Sequence, residues 1–191
     1  MLKVVLALAA AGLAAAPAAA NHAEAKVKEF APYAFLIGEW DIHEEGAPPA
    51  AVHRATWGVG GTSIRLETDM LVAGKPVPHY EGILVWNPRR GDFDMLINLD
   101  PVSAKVQERG RVWLDHKNRS AVRDVVASYA AGVRGPDGKI VGPGGAEFVF
   151  QQRFKPVGKD RIETSMMRKT DSGWVATFPG SESILMTRRG S

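Results

Sequence analysis

From Trp40 to Arg188 this chain repeats one pattern: short stretches alternate apolar and polar residues, and glycine, proline or asparagine cuts each one off. A period of two is the signature of a β-strand with one dry and one wet face. Residues 62–70 show it most clearly, with Ile64, Leu66, Thr68 and Met70 on one side and Arg65, Glu67 and Asp69 on the other. The same reading gives strands at residues 40–43, 53–59, 80–86, 93–99, 147–154, 161–169, 174–178 and 183–188. Residues 105–108 and 111–117 are read as a hairpin around Gly110. Gly60-Gly61, the Asn87-Pro88 to Gly91 stretch, residues 156–160 and Asp171-Ser172-Gly173 supply the turns. Residues 120–131 stay open between helix and strand: Val122, Val125, Val126 and Tyr129 fit one side of a helix, yet valine and tyrosine also suit strands, and a strand or irregular edge is preferred. The glycine- and proline-rich residues 132–145 read as an excursion at one end of the fold.

Connected hairpins of this number either close on themselves or fold over into a sandwich. The chain has no cysteine to tie down a sheet edge, and closure removes the edges, so closure is expected. The fold class is therefore all-β: a closed or nearly closed antiparallel up-and-down β barrel of about nine or ten strands with a short N-terminal helix. At 191 residues, 45% of them hydrophobic, the chain supports one ordinary core. Its expected divisions are a signal peptide at 1–20, a helix or linker at 21–34, and the barrel at 35–191. The helix is placed at residues 21–31, with Val27 and Phe30 on its apolar side and Pro32 ending it or constraining its last turn.

The leader reading rests on Lys3, the apolar run from Val4 to Leu13, and the small residues Ala18-Ala19-Ala20 before polar Asn21-His22. The run is shorter than the roughly 20 residues that cross a bilayer, so no integral membrane segment is expected after cleavage. The mature protein is expected to be periplasmic or secreted.

Charge excludes one large class of partners. The formal net charge of +3 becomes +2 without Lys3, and the pairs Arg89-Arg90, Arg168-Lys169 and Arg188-Arg189 are scattered without flanking aromatic platforms, so no nucleic acid is expected. Signatures for a nucleophilic serine, a zinc hydrolase and a phosphate loop are missing, and neither a cofactor nor a metal is assigned. Of the five histidines, His22, His43, His53, His79 and His116, the last shares strand parity with Val112 and Leu114, which points it inward unless the strand frays at Asp115. Asp92 and Asp94 flank Phe93 and are read as outward and solvated. The recurring apolar interior set is more informative. Trp40, Trp57, Tyr80, Trp86, Met95, His116 and Phe150 are the candidate ligand-binding residues, since rigid rings and adaptable thioethers suit a mixed apolar ligand. Arg54, Tyr80, Arg123 and Gln152 are candidates for polar contacts at a mouth.

Phe35-Leu36-Ile37-Gly38-Glu39-Trp40 joins a short apolar lead-in to the first strand through one glycine. Together with Tyr80-x-Gly82-Ile83-x-x-Trp86-Asn87, Asp160-Arg161-Ile162-Glu163 and Asp171-Ser172-Gly173, it resembles bacterial proteins of unknown function with a lipocalin-like, or calycin, barrel. The resemblance implies that Leu36, Gly38 and Trp40 are structural, starting the first strand and packing across the barrel base. It also implies binding of a small hydrophobic molecule. Haem-binding nitrobindin-like relatives carry their ligating histidine late in the chain, whereas the last histidine here is His116, so haem is not expected.

The expected function is an exported small-molecule binding protein that holds an apolar or amphipathic ligand inside the barrel, with a homo-oligomer compatible. The alternatives are a protein-interaction or assembly module of the cell envelope, and an enzyme on a small envelope metabolite with His79 or His116 as general base.

Overall fold

The structure, a computed structural model, describes residues 28–99, 105–130, 139 and 146–190. The expected leader, most of residues 21–31 and nearly all of residues 132–145 lie outside the described residues. A 3₁₀ helix, Lys28–Leu36, leads into eleven strands. They are β1 Gly38–His43, β2 Ala51–Trp57, β3 Ser63–Val72, β4 Lys75–Asn87, β5 Asp92–Leu99, β6 Lys105–Asp115, β7 Ser120–Tyr129, β8 Glu147–Pro156, β9 Arg161–Thr170, β10 Gly173–Ala176 and β11 Ile184–Arg188.

Every neighbour pair from β1 to β9 is antiparallel and consecutive. β11 then pairs with both β9 and β1 and shuts the ring at ten strands, while β10 lies outside it. The two share one edge of β9. β11 pairs with Arg161 to Thr164, and β10 pairs with Met167 to Thr170. Between them the chain loops out, and the buried Ser181 ties the loop back: its hydroxyl donates to the Met166 carbonyl, and the Met166 amide donates to the Ser181 carbonyl.

The alternation read from the sequence is the alternation of the wall. Ile64, Leu66 and Thr68 of β3 are buried while Arg65 and Glu67 are exposed, and the outer face is laced by cross-strand ion pairs such as Arg54–Asp69 at 2.8 Å and Arg109–Glu147 at 2.7 Å. β7 resolves the open segment at 120–131 as a strand. Val125 and Val126 each have a cross-strand partner on both sides, Gly110 and Phe150 for the first and Arg109 and Val149 for the second, which no isolated helix stripe would provide.

Three expectations are corrected. Gly110 does not turn a hairpin: β6 runs straight through it, opposite Val125, and a Cβ there would fall against the Asp124 carbonyl oxygen, so this glycine lets two backbones approach. The N-terminal helix is a 3₁₀ helix that continues past Pro32 to Leu36 rather than ending at it. Asp92 is buried, held by Arg90 at 2.8 Å in the β4–β5 hairpin; only Asp94 faces water as expected.

The 3₁₀ helix closes one end of the barrel. Phe30 and Tyr33, both fully buried, insert among Trp57, Trp86 and Phe93, with Phe30 5.0 Å from Trp86 and Tyr33 4.9 Å from Phe93, ring centre to ring centre. Burial and the nearby Asp92 carboxylate push the Tyr33 hydroxyl up to about 12, so the plug carries a neutral phenol. Large side chains therefore fill this end of the barrel.

Candidate functional site

Toward the end away from the plug, inward positions are occupied by Ala51, Thr68 and Thr164, which are too small to meet across a ten-stranded barrel. A cavity of about 600 Å³ results, within the range of small-molecule sites. Leu66, Leu84, Val112, Phe154 and Met186 supply much of its apolar wall. Met70 of β3 and Phe178 of the β10–β11 loop line it while remaining exposed to solvent, which marks the mouth.

Part-way down, strand pairing gathers a polar group. His53, Thr68 and Tyr80 sit on three neighbouring strands in direct register, His53 opposite Thr68 and Thr68 opposite Tyr80. His53 Nδ1 is 2.7 Å from Thr68 Oγ1 and 3.3 Å from the Tyr80 hydroxyl. Elsewhere on the wall Arg123 donates to Glu108 at 2.8 Å, both side chains almost wholly buried. Arg123 stands opposite Gln152 across the β7–β8 pairing, and Gln152 donates to Thr164 at 3.3 Å.

Burial pulls the His53 imidazole down to about 4, and the positive charges of Arg123 and Arg54 act in the same direction. It is therefore neutral at physiological pH. The Arg123–Glu108 pair keeps both charges inside the barrel because each compensates the other. The arrangement offers an apolar chamber with hydrogen-bonding groups set at separate places in its wall, which can orient a bound molecule rather than merely dissolve it.

Of the residues singled out from the sequence, Tyr80 lies on the cavity wall. Trp57 and Trp86 are part of the plugged end, packed on Phe30. Met95 and Phe150 are buried in the main core, and Trp40 is buried in a smaller cluster with Ile162 and Met186. His116 is exposed in the β6–β7 turn because β6 ends at Asp115; it borders a shallow depression beside Tyr33 and Asp92, away from the chamber. His79 is half-buried on the cavity lining. Arg123 and Gln152, named as mouth contacts, do line the chamber, whereas Arg54 pairs with Asp69 on the outer wall. His53, Thr68, Glu108 and Thr164 are not among the ligand contacts expected from the sequence. Their signal was parity: each stands at an inward position of its strand, where a polar side chain interrupts the apolar face.

Among the described residues, no group of three His, Asp or Glu side chains is arranged to hold a metal ion. Comparison of the chain with protein-family models and with curated proteins gives no match.

Proposed function

We propose that this protein binds a small amphipathic molecule inside the barrel. The observation that carries this reading is the chamber itself: about 600 Å³, apolar over most of its wall, open at one end, with His53, Tyr80 and Arg123 set into it. A barrel serving only as a scaffold would fill that half as it fills the other, since an interior void forfeits packing contacts. The leader composition of residues 1–20 supports export, so the proposed place of action is the periplasm or the cell exterior.

Titration with Nile red, a neutral dye whose emission shifts in apolar surroundings, tests the binding. One dye per chain is expected, with binding abolished in Thr164→Phe, which projects a ring into the chamber. No dye uptake, or uptake unchanged in Thr164→Phe, refutes internal binding.

A second reading has its own observation. Ile83 and Leu96 are cross-strand partners on the outer wall and, with Val85, are all about two-fifths exposed or more, forming an apolar patch on β4 and β5. Such a patch suits self-association. Sedimentation at increasing concentration tests it: a dimer lost in Leu96→Lys supports it, and a monomer throughout refutes it.

A further inference from the structure

Two hydrogen-bonding groups on this chamber have no partner among the described residues. One is Arg123 Nε, on a side chain that is more than nine-tenths buried. The other is Nε2 of His53, whose hydrogen bonds all run through Nδ1. His53 is itself more than nine-tenths buried and its ring lies on the chamber wall. Buried polar groups in folded proteins are nearly always satisfied, so His53 Nε2, open on the lining of a ligand-sized space, marks where a ligand's polar atom belongs, and Arg123 Nε, buried without a partner, leaves positive charge on the same lining incompletely met.

The neighbours of His53 decide what those atoms are. Two hydroxyls, Thr68 Oγ1 and the Tyr80 phenol, converge on Nδ1, and each is able to donate to it. Assigning Nδ1 as the acceptor of these hydroxyls puts the proton of the neutral ring on Nε2, which then donates into the chamber, and the ligand that matches this tautomer presents an acceptor. Its charge follows from the lining: Arg123 is the guanidinium set into the wall, bound to Glu108 yet with its Nε unpartnered, while Arg54 is held by Asp69 on the outer wall. The other acid on the lining, Glu44, is exposed in the loop after β1. An acceptor bearing negative charge is favoured at His53, and the apolar remainder of the wall requires that everything else on the molecule be uncharged.

We propose that the ligand is an apolar monocarboxylic acid, its carboxylate accepting a hydrogen bond from His53 Nε2 and facing the Arg123 guanidinium, its tail against the apolar wall. This rests on the reading of the chamber as a binding site and narrows it to one chemical class.

The test is competition against bound Nile red by dodecanoate and by dodecanol, which share a tail and differ in the head, at about pH 8, where the acid is ionised and His53 neutral. Dodecanoate is expected to compete at roughly 10-fold lower concentration, the effect of a hydrogen bond to a charged group. That gap closes in His53→Leu. It also narrows in the double variant Arg123→Met/Glu108→Leu, which removes the ion pair. Dodecanol competing as well as dodecanoate, or a gap that persists in both variants, overturns the assignment while leaving the chamber a binding site. Failure of Nile red to enter at all overturns the chamber reading, and this inference with it.

Discussion

The Arg188 guanidinium lies 4.2 Å from the centre of the Trp40 ring, and the two residues are register partners across the β11–β1 seam that closes the barrel. Arg188 also donates to Asp160 at 2.9 Å and to the Ile37 carbonyl at 3.2 Å, while the Trp40 indole donates to the Leu36 carbonyl at 3.0 Å. One cation thus joins the last strand, the β8–β9 turn and the end of the plug helix. Gly38 makes this possible. Its φ is +139°, and a Cβ there would collide with the Arg188 guanidinium.

Gly38→Ala is expected to cost about 1–3 kcal/mol, from backbone strain and displacement of Arg188 together. Arg188→Lys keeps the charge but loses the planar stack and should cost about 1 kcal/mol. Urea unfolding measures both, and an unchanged midpoint in Gly38→Ala would show that the seam does not depend on this contact.

His53 makes stability depend on pH with a definite sign. Its proton affinity is lowered from 6.5 in the unfolded chain to about 4 in the fold, so on acidification the unfolded state takes up the proton first. Stability attributable to this group is full above about 6.5, falls as pH drops toward 4, and is flat below. The span corresponds to roughly 3 kcal/mol. Urea unfolding of wild type and His53→Leu across this range is expected to show the variant lacking that part of the acid dependence. Parallel pH profiles would contradict the buried neutral imidazole.

The Arg123–Glu108 pair is expected to behave as a unit. Arg123→Met alone, or Glu108→Leu alone, breaks the buried ion pair and should cost about 3–5 kcal/mol. The double variant should be more stable than either single one. Additive losses in the double-mutant cycle would refute the coupling.

Gly110→Ala places a methyl against the Asp124 carbonyl where β6 and β7 are in register, and should cost about 1–3 kcal/mol or more by forcing the strands apart. Gly158→Ala, where a Cβ would meet nothing, is the control and should change stability by less than about 0.5 kcal/mol. Equal effects of the two would mean that the backbone approach at Gly110 is not needed.

Period two was enough to read the barrel, because a wall with one dry face writes its register directly into residues such as Ile64, Leu66 and Thr68. It does not distinguish a glycine that turns from a glycine that admits a neighbouring backbone, so the sequence alone divides β6 at Gly110. The site was less legible for a related reason. Aromatic residues are what a sequence reading notices, and here Trp57 and Trp86 went to the plug. The open half is made by residues too small to fill it, Ala51, Thr68 and Thr164, and by His53, whose depth depends on pairing with β3 and β4. Absence of bulk at facing positions of distant strands is a property of the closed ring, which no single segment displays.

Native mass spectrometry of the chain as isolated from its own cells tests occupancy of the chamber most directly. The account predicts one small organic molecule per chain, released on denaturation and absent from Thr164→Phe purified alongside. A bare-chain mass for the wild type that persists after incubation with amphiphiles, or an adduct retained equally by Thr164→Phe, would contradict it.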